Sequence, residues 1–299
     1  MPEPLRILIL GANGRLGHAL HRLYSPGPHQ ITAWSRSELD LMDLDRIPSA
    51  LAAADFDVLI NAAGLTSVDL CEERREEAQL SNGTAPGLLA AFCAAHDRRL
   101  IHISSDYVFP GSPPKLLRET DPTHPCNHYG HTKLAGEKAV LSAHSAALVV
   151  RVSWLFGPDK PSFPDMILRT ALEQDHVSAV NDKWSCPSYS EDLADWLLAI
   201  LQHHPEASGL LHLCNEGAPS WQEYGQATLD IAVRLGLPVK TRSVAGHSMS
   251  GFTPFIAARP PHTALDTTQF QVLTGIRPRP WQDALEAYLK SAWSHALRH

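Results

Sequence analysis

Leu5-Arg-Ile-Leu-Ile-Leu10 runs directly into Gly11-Ala-Asn-Gly14-Arg-Leu-Gly17, and then into a helix-like stretch from about Leu16 to Tyr24. A short apolar run of this length reads as a buried strand. The glycines let the backbone turn tightly, and a helix opening behind them points its unpaired N–H groups and positive dipole end above the strand. A diphosphate suits such a place, so Gly11, Asn13, Gly14, Arg15, Leu16 and Gly17 are candidate dinucleotide contacts. Three glycines at this spacing also describe a plain tight turn. The strand before them and the helix after them are what favour the nucleotide.

The same alternation continues outward from this stretch. Ile31–Trp34, 57–61, 100–104 and 147–152 predict strands. Between them helices are predicted from an Asp45 cap to about Ala53, from about Ala78 to Ala95, and from Tyr129 to about His144. Continuous apolar strands separated by helices imply a parallel sheet covered on both faces. The expected fold class is α/β: a doubly wound parallel Rossmann sheet with a smaller C-terminal α/β domain. After Gly157 proline and glycine become denser. Three helices stand out there: one capped by Ser190 through Ile200, one opened by a Ser220–Glu223 capping box, and one from Trp281 to about Ala296. The expected division is residues 1–155 and 156–299, with some elements of the second part returning to the sheet.

Composition narrows the function classes. The 299 residues are 44% hydrophobic and 19% charged, with a formal net charge of −7. Lys/Arg runs never exceed two, so no nucleic-acid partner and no anionic-membrane partner is expected. No apolar run approaches the roughly 18 residues that a membrane span needs. The N-terminus passes straight into strand-like sequence, and no secretory leader is expected. Five cysteines, odd in number and without a Cys-x-x-Cys pair, suit a reduced, cytoplasmic setting. The 17 histidines are scattered, and no metal site is expected.

Four further strings carry chemistry. Trp34-Ser35-Arg36-Ser37 ends the second predicted strand without an acidic residue for a ribose 2′-hydroxyl. Arg36 flanked by two hydroxyls suits a 2′-phosphate, which favours NADP(H) and leaves NAD(H) open. Arg36 also reads as a solvated loop arginine. Asp40-Leu41 follow where an adenine edge would lie. Asn61-Ala62-Ala63-Gly64 leaves room at a strand's end for a cofactor, or serves packing alone. Ser105 ends another strand, and Tyr129-Gly-His-Thr-Lys133 puts a phenol and an ammonium on one helix face. Hydride reduction of a carbonyl needs a proton for the developing alkoxide, and a tyrosine can give it. An ammonium about 5 Å away, at an effective dielectric of about 20, would lower the phenol by roughly two pKa units. Ser105 would hold the substrate oxygen.

In this order these motifs resemble the extended short-chain dehydrogenase/reductase superfamily. Longer strings sharpen the likeness: Ile103-Ser-Ser-Asp-Tyr-Val-Phe109, Tyr129-Gly-His-Thr-Lys-Leu-Ala-Gly-Glu137, Arg151-Val-Ser-Trp-Leu-Phe-Gly157, Asn181-Asp-Lys-Trp-Ser-Cys-Pro187 and Arg259-Pro-Pro-His-Thr-Ala-Leu-Asp266. They resemble the dTDP-4-dehydrorhamnose reductase family over almost the whole chain. The resemblance implies an NADP-binding Rossmann domain, a sugar-nucleotide-binding domain, and reduction of a nucleotide-linked 4-keto-6-deoxy sugar by a monomer or homodimer. It implies a catalytic set of Ser105, Tyr129 and Lys133. It also implies substrate contacts at Thr66, Asp106, Tyr107, Trp154 and Lys183. Trp154 alone would equally be a core residue, and Lys183 alone a solvated one.

This chain departs from the family at several positions. Ser105 replaces a usual threonine, Lys183 a glutamine, Ser185 a glycine, and Arg15 a glutamine or glutamate. The last change puts any Mg²⁺-linked dimer contact in question. Two alternatives stand beside the reductase. Another sugar-nucleotide enzyme of the superfamily is one, although Asp106-Tyr107 lacks the Asp-Glu pair that a dehydratase resembling this group needs. A non-catalytic NADP-binding regulatory protein is the other. The methionine adenosyltransferase β regulatory subunit shares the Gly-Glu-Lys-Ala-Val-Leu run found at 136–141 and also has a Tyr-x-x-x-Lys.

Overall fold

The computed structural model describes residues 3–251 and 255–293. The first half builds β1 (Arg6–Leu10), α1 (Arg15–Tyr24), β2 (Gln30–Trp34), α2 (Arg46–Ala52), β3 (Val58–Asn61), α3 (Val68–Glu73), α4 (Arg75–Ala78), α5 (Ala85–Ala95), β4 (Arg99–Ser105), α6 (His128–Ala143) and β5 (Leu148–Val152). The second half contributes β6 (Leu155–Phe156), α7 (Phe163–Glu173), β7 (Val177–Val180), β8 (Trp184–Ser185), β9 (Ser188–Tyr189), α8 (Ser190–His203), β10 (Gly209–Leu213), α9 (Trp221–Arg234), β11 (Val244–His247), β12 (His262–Thr263), α10 (Thr268–Thr274) and α11 (Trp281–Ala292).

Six strands form one parallel sheet in the order β10-β5-β4-β3-β1-β2. Every one of these strands except β2 is largely buried, which is why their sequences read as continuous apolar runs. Side chains alternate between two cores. Ile7 and Ile9 face α1 and α8, while Leu8 and Leu10 face α2 and α5. The Tyr24 hydroxyl pins the first helix pair by donating to the Ala194 carbonyl at 2.9 Å. Thus β10 and α8, both from the second half, complete the sheet's edge and one of its layers.

The chain leaves β1 toward β2 on one side and returns to β3 on the other. Leu10 pairs with both Trp34 and Asn61, so the three strand ends are flush. The crevice at this reversal is where an open α/β sheet binds ligands. The glycine loop is tied to its rim, with Gly11 and Ala12 N–H groups donating to the Trp34 carbonyl at 2.9 and 3.0 Å.

Several local expectations change. The helix expected over 78–95 begins at Arg75 and contains a π-turn at Gln79–Thr84 before α5. Asp45 occupies the N-cap of α2 in helical conformation and makes no side-chain cap bond. Ser190 is the first helical residue, not the cap, and its buried hydroxyl lacks a protein partner. The Ser220–Glu223 box forms as expected, with reciprocal bonds of 3.1 and 2.7 Å. The predicted end of the last helix near Ala296 lies outside the described residues.

Candidate active site

Two adjoining cavities occupy the crevice. Gly11, Asn13, Gly14, Ser35, Arg36, Asp40, Leu41, Ala62, Ala63 and Gly64 line the first, of about 320 Å³. Arg15, Leu16, Thr66, Ser105, Asp106, Tyr107, Tyr129, Lys133 and Trp154 line the second, of about 390 Å³. Gly14, Ala62, Ala63, Thr66 and Lys160 belong to both walls. One elongated ligand can therefore span them.

The glycine loop fits a dinucleotide on steric grounds. A Cβ on Gly11, whose φ is +84°, would lie 2.7 Å from the Ala62 carbonyl oxygen. One on Gly17 would lie 2.1 Å from the Gly11 carbonyl oxygen. Gly17 is absent from both cavity walls; it seats α1 against the loop, so its role is packing. Backbone is thereby brought to the cavity rim with no side chain in the way, at a helix N-terminus.

Arg36 is exposed on the first cavity's wall. Its two serine neighbours are not free, however. Glu38, which the sequence reading passed over, folds back onto them. Ser35 donates to its carboxylate through both N–H and hydroxyl at 2.7 Å, and the Ser37 hydroxyl donates at 2.8 Å. Those bonds lower the Glu38 carboxyl to about 2. The expectation that no acidic group stands at the end of the second strand is thus corrected.

In the second cavity Ser105, Tyr129 and Lys133 are all buried and side by side. Asn127 caps α6 by accepting from the Gly130 N–H at 2.8 Å, which fixes the helix that carries Tyr129 and Lys133. The Lys133 ammonium donates to the Ile103 carbonyl at 2.7 Å. Burial lowers Lys133 to about 8, against the opposing pull of Glu137 and Cys71. Tyr129 departs from the sequence expectation. Burial pushes its phenol above the ordinary value, and a hydrogen bond to Ser105 offsets this only in part. Burial away from water disfavours the phenolate, and Asp106 and Cys71 disfavour it further. A lowered phenol is not a property of this chain by itself.

Asp106 is buried beside Ser105. It accepts from the Ser105 hydroxyl at 3.0 Å and from the Ser153 hydroxyl at 2.8 Å. Burial raises its carboxyl, while Lys183, Thr263 and the two serines favour its charge. The Tyr107 ring meets the Tyr129 ring edge-on, with centroids 5.7 Å apart. Trp154 has φ +40°, a left-handed conformation that costs a non-glycine residue energy and clusters at functional sites. Its ring packs on Phe163, Trp221 and Tyr224, and the residue forms part of the cavity wall.

Lys183 is the substrate contact that the structure does not bring to the cleft. It is 1% exposed and absent from both walls. Its ammonium donates to the Pro260 carbonyl at 2.7 Å and to the Ser185 hydroxyl at 3.2 Å, and lies 5.1 Å from the centre of the Tyr107 ring. It is neither a solvated lysine nor an open phosphate contact. Burial lowers it to about 8. The sequence reading missed Lys160, a lysine on both walls with no motif around it except the Gly157-Pro-Asp turn. Arg15 reaches the same segment, donating to the carbonyls of Leu155, Lys160 and Pro161 at 3.0, 3.1 and 2.8 Å. Behind the site, buried Arg151 and Glu137 form a two-bond ion pair at 2.9 and 2.7 Å. Among the described residues, no three His, Cys, Asp or Glu side chains gather as a metal site would.

Known proteins resemble this chain over nearly its whole length. A dTDP-4-dehydrorhamnose reductase of Mycolicibacterium smegmatis is 38% identical, covering 94% of this chain and 84% of that protein. One from Aggregatibacter actinomycetemcomitans is 33% identical over 94% and 97%. The crystal structure of a Bacillus anthracis dTDP-4-dehydrorhamnose reductase in complex with NADP superposes with a TM-score of 0.89 at 28% identity, covering 97% of this chain and all of that one. Residues 5–293 match the RmlD substrate binding domain family, and the chain belongs to that family.

Proposed function

We propose that this protein is an NADPH-dependent reductase of a nucleotide-linked 4-keto-6-deoxy sugar, of the dTDP-4-dehydrorhamnose reductase type. The observation that carries the reading is the buried Ser105–Tyr129–Lys133 set facing a cavity that shares a wall with the dinucleotide loop. When bound, NADP(H) supplies or accepts a hydride at the substrate carbon. Tyr129 gives its phenolic proton to the carbonyl oxygen, and Ser105 hydrogen-bonds that oxygen. Lys133, held by the Ile103 carbonyl, would help hold the cofactor and favours the phenolate that proton transfer leaves. Gly11, Asn13 and Gly14 would hold the diphosphate by backbone, Arg36 the 2′-phosphate, and Asp40 and Leu41 the adenine end. Thr66, Tyr107 and Trp154 shape the sugar side, and Asp106 acts on it through Ser105.

In this reading residues 1–155 serve mainly the cofactor and 156–299 mainly the sugar nucleotide. The protein works in the cytoplasm as a monomer or homodimer. The odd number of cysteines, with no Cys-x-x-Cys pair, supports the compartment. The engagement of Arg15 within its own chain argues against a metal-bridged dimer through that position.

The test is NADPH consumption with dTDP-4-dehydrorhamnose, the product being identified by NMR. Conversion of the C4 ketone to a C4 hydroxyl, one for each NADPH oxidised, is expected. Tight NADPH binding with no oxidation against any nucleotide-linked keto sugar would replace the reductase with a cofactor-binding regulatory protein.

A further inference from the structure

The turn after β2 has the donor set of a phosphate site, and a carboxylate of the same chain holds it. Ser35 N–H, Ser35 hydroxyl and Ser37 hydroxyl all converge on Glu38, at 2.7, 2.7 and 2.8 Å. The two hydroxyls also touch one another at 2.8 Å. Ser35 and Arg36 stand on the wall of the first cavity, and Ser37 and Glu38, which are not on that wall, connect to it through Ser35, so the Ser35 donors lie at its 2′ end under the cofactor reading. Glu38 itself is exposed.

We propose that Glu38 is a cofactor-discriminating residue, a carboxylate that competes with the 2′-phosphate of NADP(H) for Ser35 and Ser37. A 2′-phosphate needs those donors and repels the carboxylate, so NADP(H) must displace Glu38 before Arg36 and the serines close on it. A 2′-hydroxyl carries a proton and no charge, so NAD(H) binds with Glu38 in place and donates to it. Arg36 and Glu38 therefore pull cofactor choice in opposite directions from nearby positions on one turn. The carboxyl stays ionised throughout the neutral range, held near 2 by the same hydrogen bonds.

This inference rests on the first cavity being the dinucleotide site, not on the identity of the sugar. Titration of the purified protein with NADPH and with NADH, followed by protein fluorescence and calorimetry, tests it without turnover. Glu38→Gln keeps the shape and removes the charge, and Glu38→Ala frees the serines altogether. NADPH is expected to bind about tenfold tighter to both variants, the size of effect typical of one charge-assisted hydrogen bond to a phosphate. NADH affinity should be unchanged or fall severalfold, and the Ala variant should give the larger change in ratio. An unchanged NADPH-to-NADH affinity ratio in both variants, or a change in the other direction, overturns the proposal. Failure of the unaltered protein to bind either dinucleotide would overturn the cofactor reading itself, and Glu38 with it. Position 38 lies in an exposed turn, so the thermal midpoint of either variant should stay close to that of the parent.

Discussion

The cofactor side and the substrate side of this cleft are built differently. The first cavity takes nearly all its wall from three short, consecutive strand-to-helix connections at residues 10–14, 35–41 and 62–66. The substrate side is assembled from segments far apart in sequence: Thr66 and Val68, Ile103–Tyr107, Tyr129, Lys133, and Val152–Leu155. Behind it, support comes from Lys183, Ser185, Pro260 and Thr263. A wall made of local turns is set by glycine spacing and strand ends, so one substitution there has a local meaning. A wall made by long-range packing places side chains through neighbours that sequence proximity does not show.

The sharpest way to separate the two sides is to remove chemistry while sparing both walls. Tyr129→Phe deletes one hydroxyl from a buried ring. Turnover should fall by about 10²–10⁴-fold, the range for loss of a general acid, while the NADPH dissociation constant moves less than about threefold. Steady-state rates and fluorescence titration together check this. If both constants collapse, Tyr129 is a structural ring shared by the two cavities. A pH profile adds to the same test. Lys133 is lowered to about 8 from an ordinary value near 10.5, and the charged form is the useful one. The reduction rate should be flat below about pH 8 and decline above it, well short of the pH at which an ordinary lysine would titrate.

The difference between the two sides also explains what was legible in the sequence. The strand and helix pattern of the first half follows from apolar runs buried on both faces, and it reads well. Gly11, Gly14 and Ala62–Gly64 were legible as the rim of the crevice because what they contribute there is a backbone path. Glu38 was missed because it approaches Ser35 from three residues downstream, through a turn whose fold-back the linear pattern does not reveal. Lys183 was misplaced because charge suggests water or phosphate, while the Pro260 carbonyl that accepts its hydrogen bond is 77 residues away. The phenol of Tyr129 was misjudged for a related reason: charge proximity is visible in an i, i+4 pair, and desolvation is not. In the second half β10 was unread, since its apolar stretch gains meaning only beside β5.

On the cofactor side, Arg36→Ala should weaken NADPH by about tenfold or more and NADH by less than about twofold. A charge-assisted bond to phosphate is worth roughly 1.5–3 kcal/mol. Paired titrations check it, and equal weakening would mean the arginine meets something common to both cofactors. On the substrate side, Trp154→Phe keeps an aromatic ring against Phe163, Trp221 and Tyr224 and trims its area. A loss of about 0.5–1 kcal/mol follows from the smaller face, so KM for the nucleotide sugar should rise about two- to fivefold with kcat and NADPH affinity steady. If the effect appears in stability with KM unchanged, Trp154 belongs to the core.

The smallest effect is expected at Lys183, and it is the one that most sharpens the contrast. A lysine facing a diphosphate would lose much of its contribution as salt is added, because an open charge pair is screened within about 10 Å at 0.1 M. Lys183 is not placed that way: it is absent from the cleft wall, lies against the Tyr107 ring that lines the cleft, and its ammonium is used on Pro260 and Ser185. Glutamine in its place still offers an amide donor to that carbonyl. Its loss of charge is felt first by Asp106, whose ionised form the ammonium favours. KM for the nucleotide sugar should therefore stay within about twofold in Lys183→Gln, with the same ionic-strength dependence as the parent protein. Any decline should fall on kcat and be modest, since Ser153, Thr263 and Ser105 still hydrogen-bond the carboxylate. A KM that climbs at low salt and converges with the parent at high salt would show the Tyr107 ring moving aside on binding, and would return Lys183 to the substrate's phosphates.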